Sequence, residues 1–232
     1  MKARILGAAT VALSALVATP AAAQVNGIAV ADPAVAVAGS QALQTAYNQI
    51  STTFQAQRTQ LEQLQQQRAN AIRQFDTDGD GQLSQEEQTA AQSNTAVISQ
   101  VQGLDQQITS IQQPITLARV YVIEQLAQQL SPAVQAVVQA NGIQLILSPS
   151  TALYIADPVD VTDDIITQLN TLAPTVSTAV PQGWQPQQQS AQLFQQVQEI
   201  LVTVAAQQQA QQQAAQQQQP AATPSATPVP GR

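Results

Sequence analysis

A 4-3 spacing of apolar residues constrains this chain more than any other feature. Leu43, Tyr47, Ile50, Phe54, Leu61, Leu64 and Phe75 fall on one heptad series, and Gln57, Arg68 and Ala71 fill its remaining positions. Residues three and four apart share one face of a helix, so the series describes a long helix with a narrow apolar seam. A second seam passes through Val97, Val101, Leu104, Ile108, Ile111 and Ile115, then continues less regularly through Val122, Leu126, Leu130 and Val134. A narrow seam has to be covered by another helix. Two such seams on either side of a loop predict an antiparallel helical hairpin over about residues 41–140. Pro114 lies inside the second helix, where its missing N–H and its ring predict a bend.

Composition removes most catalytic chemistries. The 232 residues include no His and no Cys, which excludes the usual zinc ligand sets, thiol chemistry, a histidine base and the Ser-His-Asp and Cys-His triads. Aromatics make up 3% and charged residues 9%, whereas Gln supplies about a fifth of the chain, a poor basis for a compact enzyme core. Glu62, Asp105 and Glu124 stand singly on helices and read as solvated. No carboxylate pair has the partners that glycoside hydrolysis would need. The chain is not expected to be an enzyme.

Residues 1–23 carry Lys2 and Arg4, an apolar run, and Ala21-Ala22-Ala23, the pattern of a cleavable secretory signal. Pro20 and the shortness of the run argue against a transmembrane anchor, which needs roughly 20 apolar residues. Without this segment the chain keeps five arginines and no lysine against 14 acids, a net charge of −9. Such a chain is a poor partner for nucleic acid or an anionic membrane, which both select for cations. The chain is therefore expected to be exported.

Short elements flank the hairpin. A strand over about 27–31 stops at Asp32-Pro33, and Ser40 can cap the following helix. Asn141-Gly142 reads as a helix C-cap, followed by strands over about 143–148 and 152–156 around the turn Ser148-Pro149-Ser150. Thr162 reads as the N-cap of a helix ending near Leu172, which also accounts for the nearby Asp157, Asp160, Asp163 and Asp164. Residues 174–189 hold Pro174, Pro181, Pro186 and the only tryptophan, Trp184, and read as an extended Pro/Gln-rich linker. Trp184 can anchor that linker to the body or to a partner. Leu193, Phe194, Val197, Ile200, Leu201 and Val204 mark an amphipathic helix that a Gln/Ala tract prolongs over 190–219, and 220–232 should be disordered.

The fold class is therefore α+β and mostly helical: a long coiled-coil hairpin on a small β body of three short strands per subunit. Three short strands bury too little in one subunit to offset the ordering of two long helices, so self-association is expected. Association also covers exposed strand edges.

The strongest chemical motif is DTDGDGQLSQEE, Asp76 to Glu87, between the two seams. It follows the spacing of an EF-hand calcium loop. Asp76, Asp78 and Asp80 offer carboxylates at alternate positions, Gly81 supplies the turn, Gln82 its main-chain carbonyl, and Glu87 two closing oxygens. Ser84 would act through a water. Leu83 is the apolar residue that packs between paired loops, and Ile72 and Phe75 give the entering helix its apolar contacts. The alternative is a solvated acidic turn, which a hairpin also needs. Five acids in one loop repel one another unless a cation relieves them, which favours Ca2+ as the cofactor. No second loop has this spacing, so weak affinity is expected.

With the glycine before Ile143–Leu147, the Ser-Pro-Ser turn, the run Leu153–Ile155 and Asp160-Val161-Thr162-Asp163 opening a helix, residues 25–173 resemble the Skp/OmpH family of periplasmic outer-membrane-protein chaperones. The resemblance implies a domain over 24–173 with the calcium loop inserted at the arm tip. It further implies the periplasm as the location, a homotrimer with a β body, and arms enclosing unfolded outer-membrane proteins without ATP. The family's better-known arms are basic. Here Arg58, Arg68, Arg73 and Arg119 are the only arm cations, so client contacts would be apolar and amide in kind, with weak salt dependence. A structural coiled-coil spacer of the cell envelope is the competing reading.

Overall fold

A computed structural model describes residues 27–151 and 153–217. The signal expected over 1–23 and the tail expected over 220–232 lie outside the described residues. Strand β1 (Ile28–Val30) leads into helices α1 (Pro33–Ala38), α2 (Gln41–Thr53) and α3 (Gln55–Arg73). After the acidic loop come α4 (Gln85–Ser93), the 47-residue α5 (Thr95–Asn141), strand β2 (Leu145–Leu147), α6 (Thr162–Leu172) and α7 (Gln188–Gln217). Single 3-10 turns occur at Pro149–Thr151 and Asp157–Val159.

Local chemistry sets these boundaries. The Asp32 side chain accepts from the Ala34 and Val35 N–H groups at 2.9 and 3.1 Å, with Pro33 opening α1. Ser40 and Asn94 cap α2 and α5 through the N–H groups of Leu43 and Val97. Gly142 closes α5 with φ 63°, the left-handed conformation that a residue without Cβ takes at least cost.

The chain runs out along α2 and α3 and returns along α5. Tyr47 faces Arg119 near one end, and Arg68 meets Asp105 further out. Every seam position from Leu43 to Phe75 is buried or half-buried, as are Val97 to Ile115 on the return helix. The core thickens at the base of the pair, where Val37, Leu43, Ile50, Ile123, Leu126 and Leu169 are almost fully buried. Helix α6 packs on α1 and α5, and α7 covers the same two helices with Val197 fully enclosed.

The outgoing helix is interrupted at Phe54, whose φ of −102° and ψ of 21° lie outside the helical range. Helix α5 is assigned without a break through both Pro114 and Pro132. Pro114 does not break its own helix, and the departure from helical dihedrals lies at Phe54 on the outgoing helix. Phe54 and Pro114 line one cavity together with Ile50, Leu117 and Val180.

β1 and β2 pair in parallel with Ile28 opposite Leu145 and Val30 opposite Leu147, and they form a two-stranded sheet. The third strand expected over 152–156 does not form among the described residues 153–156, and Leu153 and Tyr154 stand exposed. The remaining edge of β1 is taken by Asp160 and Val161, whose N–H reaches Val30 O at 2.9 Å. Thr162 is not the cap of α6. Its N–H goes to Asp160 Oδ1 at 2.9 Å, and its hydroxyl accepts from the Asp32 N–H at 3.1 Å.

Glu124 is not solvated. It is 6% exposed, and its carboxylate accepts from Trp184 Nε1 and the Gln187 N–H, both at 3.1 Å. Residues 174–187 contain neither helix nor strand, yet Val176 and Val180 pack against the core.

Candidate metal centre

The acidic loop joins α3 to α4 at the far end of the helix pair. Gly79 and Gly81 take φ of 74° and 82°, turning the backbone so that successive N–H groups point inward. Asp76 accepts from the N–H groups of Gly79 at 2.7 Å and Gly81 at 2.9 Å. Asp78 accepts from Asp80 N at 3.2 Å, and Asp80 from Gln82 N at 2.7 Å. Each carboxylate is thereby held by the main chain, and one oxygen each from Asp76, Asp78 and Asp80 lies within 4.8 Å of the others. An all-oxygen cluster of this kind suits a hard divalent cation such as calcium.

Glu87 stands outside that trio. Thr77 donates to its Oε1 from the backbone N–H at 2.6 Å and from the hydroxyl at 2.5 Å. Ser84 donates to its Oε2 from N–H and hydroxyl, both at 2.9 Å. Ser84 in turn caps α4, completing a reciprocal capping box. The Thr77 hydroxyl and N–H, then those of Ser84, hold the Glu87 carboxyl well below its ordinary range, at about 2. The carboxylate is thus kept ionised at the loop's closing position while it ties the loop's second residue to the first turn of α4.

Of the residues expected around an ion, the structure brings Asp76, Asp78 and Asp80 together and places Glu87 at the closing turn. Gln82 meets the cluster through its N–H to Asp80. Ile72 and Leu83 line an apolar cavity of about 400 Å³ with Val97, Ile98 and Val101, and Phe75 is half-buried. Thr77 was not singled out from the sequence. A hydroxyl residue directly after the first loop aspartate is the signal that points to it.

This architecture defines a strand-linked pair of long helices carrying an acidic loop at its turn. The sequence signature of the family described as "Outer membrane protein (OmpH-like)" matches residues 27–169, more than half of the chain. The chain belongs to this OmpH-like family. A solved structure from Caulobacter crescentus CB15, described as an OmpH-like candidate outer membrane chaperone, is similar at 18% identity, with a TM-score of 0.37. The likeness covers 66% of this chain and 89% of that one. No curated protein matches the sequence. No helix of the described residues is long and apolar enough to cross a membrane.

Proposed function

We propose that the chain is a periplasmic holdase that takes up unfolded outer-membrane proteins without ATP and works as a homotrimer. Membership of the OmpH-like family over residues 27–169 is the observation that carries this reading. The out-and-back helices α2–α3 and α5 are the arms, and the strands belong to the body. Among the described residues β2 has an unpaired edge, and Leu145, 48% exposed, lies opposite the exposed Ile28; this favours a second and third copy over solvent. The arm surface is mainly amide, so clients are held by apolar contact, amide hydrogen bonding and enclosure. No reaction is assigned to the chain.

Calcium is the proposed ion for Asp76, Asp78, Asp80, the Gln82 carbonyl and Glu87, and it stiffens the arm tip. The pre-turned loop and the grouped carboxylate oxygens support this. A single loop of this type binds at roughly 10⁻⁴ to 10⁻³ M. Calcium should slow amide exchange over residues 70–95, and Asp76→Asn should remove that effect. Exchange that is the same in calcium and in chelator rejects the ion.

The chaperone reading is tested by diluting a urea-unfolded outer-membrane β-barrel protein into buffer with the chain and no nucleotide. Suppression of aggregation at stoichiometric ratios, little changed by salt, is the expected result. Aggregation that proceeds unaltered would leave the envelope spacer as the better account.

A further inference from the structure

Close to the base of the helix pair the outgoing backbone departs from helical dihedrals, while its hydrogen bonds from Phe54 N–H to Ile50 O and from Arg58 N–H to Phe54 O, both 2.9 Å, persist. Phe54 leaves helical dihedrals on the outgoing side, and Pro114, which lines the same cavity, has no N–H to give to its own helix. On the outgoing side Arg58 reaches back over the interruption to the Ser51 hydroxyl. The remaining wall of that cavity is not arm at all. It consists of Thr178, Ala179 and Val180, from the segment beyond the family-matched residues.

We propose that residues 174–204 form a strap that splints an arm hinge at Phe54 and Pro114, with Trp184 seated on Glu124 as its releasable clasp. The strap before α7 has no helix or strand, so its order depends on the packing of Val176 and Val180 against the core and on a few side-chain tethers to α5. Gln125 pairs with the Ser177 backbone in both directions, at 2.8 and 2.9 Å. Glu124 takes the Trp184 indole N–H through one oxygen and the Gln187 N–H through the other, while the indole sits edge-on to Tyr121 with ring centres 5.0 Å apart. Beyond the clasp, α7 is held by the buried Val197 and by Gln198, which donates to the Tyr47 hydroxyl on α2 at 3.1 Å. The strap therefore grips both the outgoing and the returning helix, and lies over the hinge between those grips.

Glu124 is where release is easiest. A carboxylate satisfies two donors with two acceptor oxygens, whereas an amide turns one position into a donor facing another donor. Glu124→Gln keeps the size and breaks one of the two bonds. Trp184 is the chain's single tryptophan, so its emission reports on the clasp alone.

The test uses the full chain and two variants, Glu124→Gln and Trp184→Phe, the second keeping an aromatic ring against Tyr121. In Glu124→Gln, acrylamide quenching of Trp184 should rise about twofold, and amide exchange over residues 50–58 and 110–118 should quicken about tenfold, with far-UV circular dichroism unchanged. Trp184→Phe should quicken the same amides and those of 174–187. Release of Trp184 with no change at the hinge amides would overturn the splint. Unchanged quenching in Glu124→Gln would overturn the clasp. Should Glu124→Gln fail to fold, Trp184→Phe decides alone: faster hinge exchange supports the strap and unchanged exchange rejects it.

Discussion

Arg68 Nε and Asp105 Oδ1 meet at 2.6 Å across α3 and α5, and theirs is the only ion pair among the described residues. Both side chains are nearly half exposed, at 43% and 49%. An ion pair so open to solvent contributes little, which leaves the apolar seam to set how the two helices register. Asp105→Asn is expected to lower stability by less than about 1 kcal/mol. Urea denaturation in low and high salt, giving nearly the same midpoint for both proteins, is the check.

The opposite outcome is expected at the base. Leu126 is fully buried beside Ile123 and Leu169. Leu126→Ala removes buried methyl groups and leaves a cavity that the surrounding helices close only in part, at a cost of about 2–5 kcal/mol. A urea midpoint within error of the parent would show that this cluster is not the core.

Acid should loosen the arm tip before it unfolds the molecule. The Glu87 carboxyl is lowered from 4.5 to about 2 by the Thr77 and Ser84 hydrogen bonds. A depressed carboxyl contributes stability that is complete above the unfolded value and is lost as pH falls through the folded one. Without calcium, protection of the amides at Thr77, Ser84 and the start of α4 should decline between about pH 4.5 and about pH 2. Glu87→Gln should flatten that profile, as read by nuclear magnetic resonance across the titration.

At Gly142 backbone conformation, and not space, decides the outcome. A Cβ there would meet nothing within 4 Å, yet φ is 63°. Gly142→Ala is expected to cost about 1 kcal/mol, because a side chain in the left-handed region crowds its own backbone. Gly142→Asn should cost less, and thermal unfolding of the two variants separates them.

The long helices were legible in the sequence because their seams obey one period. Even the polar members of the series, Gln57 and Arg68, are half-buried where the heptad puts them. The loop was legible because its turns are made by residues only a few positions apart. What escaped depended on distant partners. Glu124 looked solitary on its helix, but it sits among the buried Val122, Ile123 and Leu126, and its donors lie about 60 residues further along at Trp184 and Gln187. Its apolar neighbours, together with a lone tryptophan in need of an acceptor, were the available signal. The run from Leu153 to Ile155 has strand-forming residues but pairs with neither strand: Asp160 and Val161 occupy the free edge of β1, and the outer edge of β2 is left open among the described residues. The departure at Phe54 lies beside a cavity that it shares with Pro114, Thr178, Ala179 and Val180, residues on distant segments that a local reading cannot place.

Sedimentation velocity of residues 24–232, alone and with a urea-unfolded outer-membrane β-barrel protein, tests the central claim most directly. The account predicts a trimer that co-sediments with one client in the absence of nucleotide, largely unaffected by salt. A monomer or dimer that sediments apart from the client would contradict it.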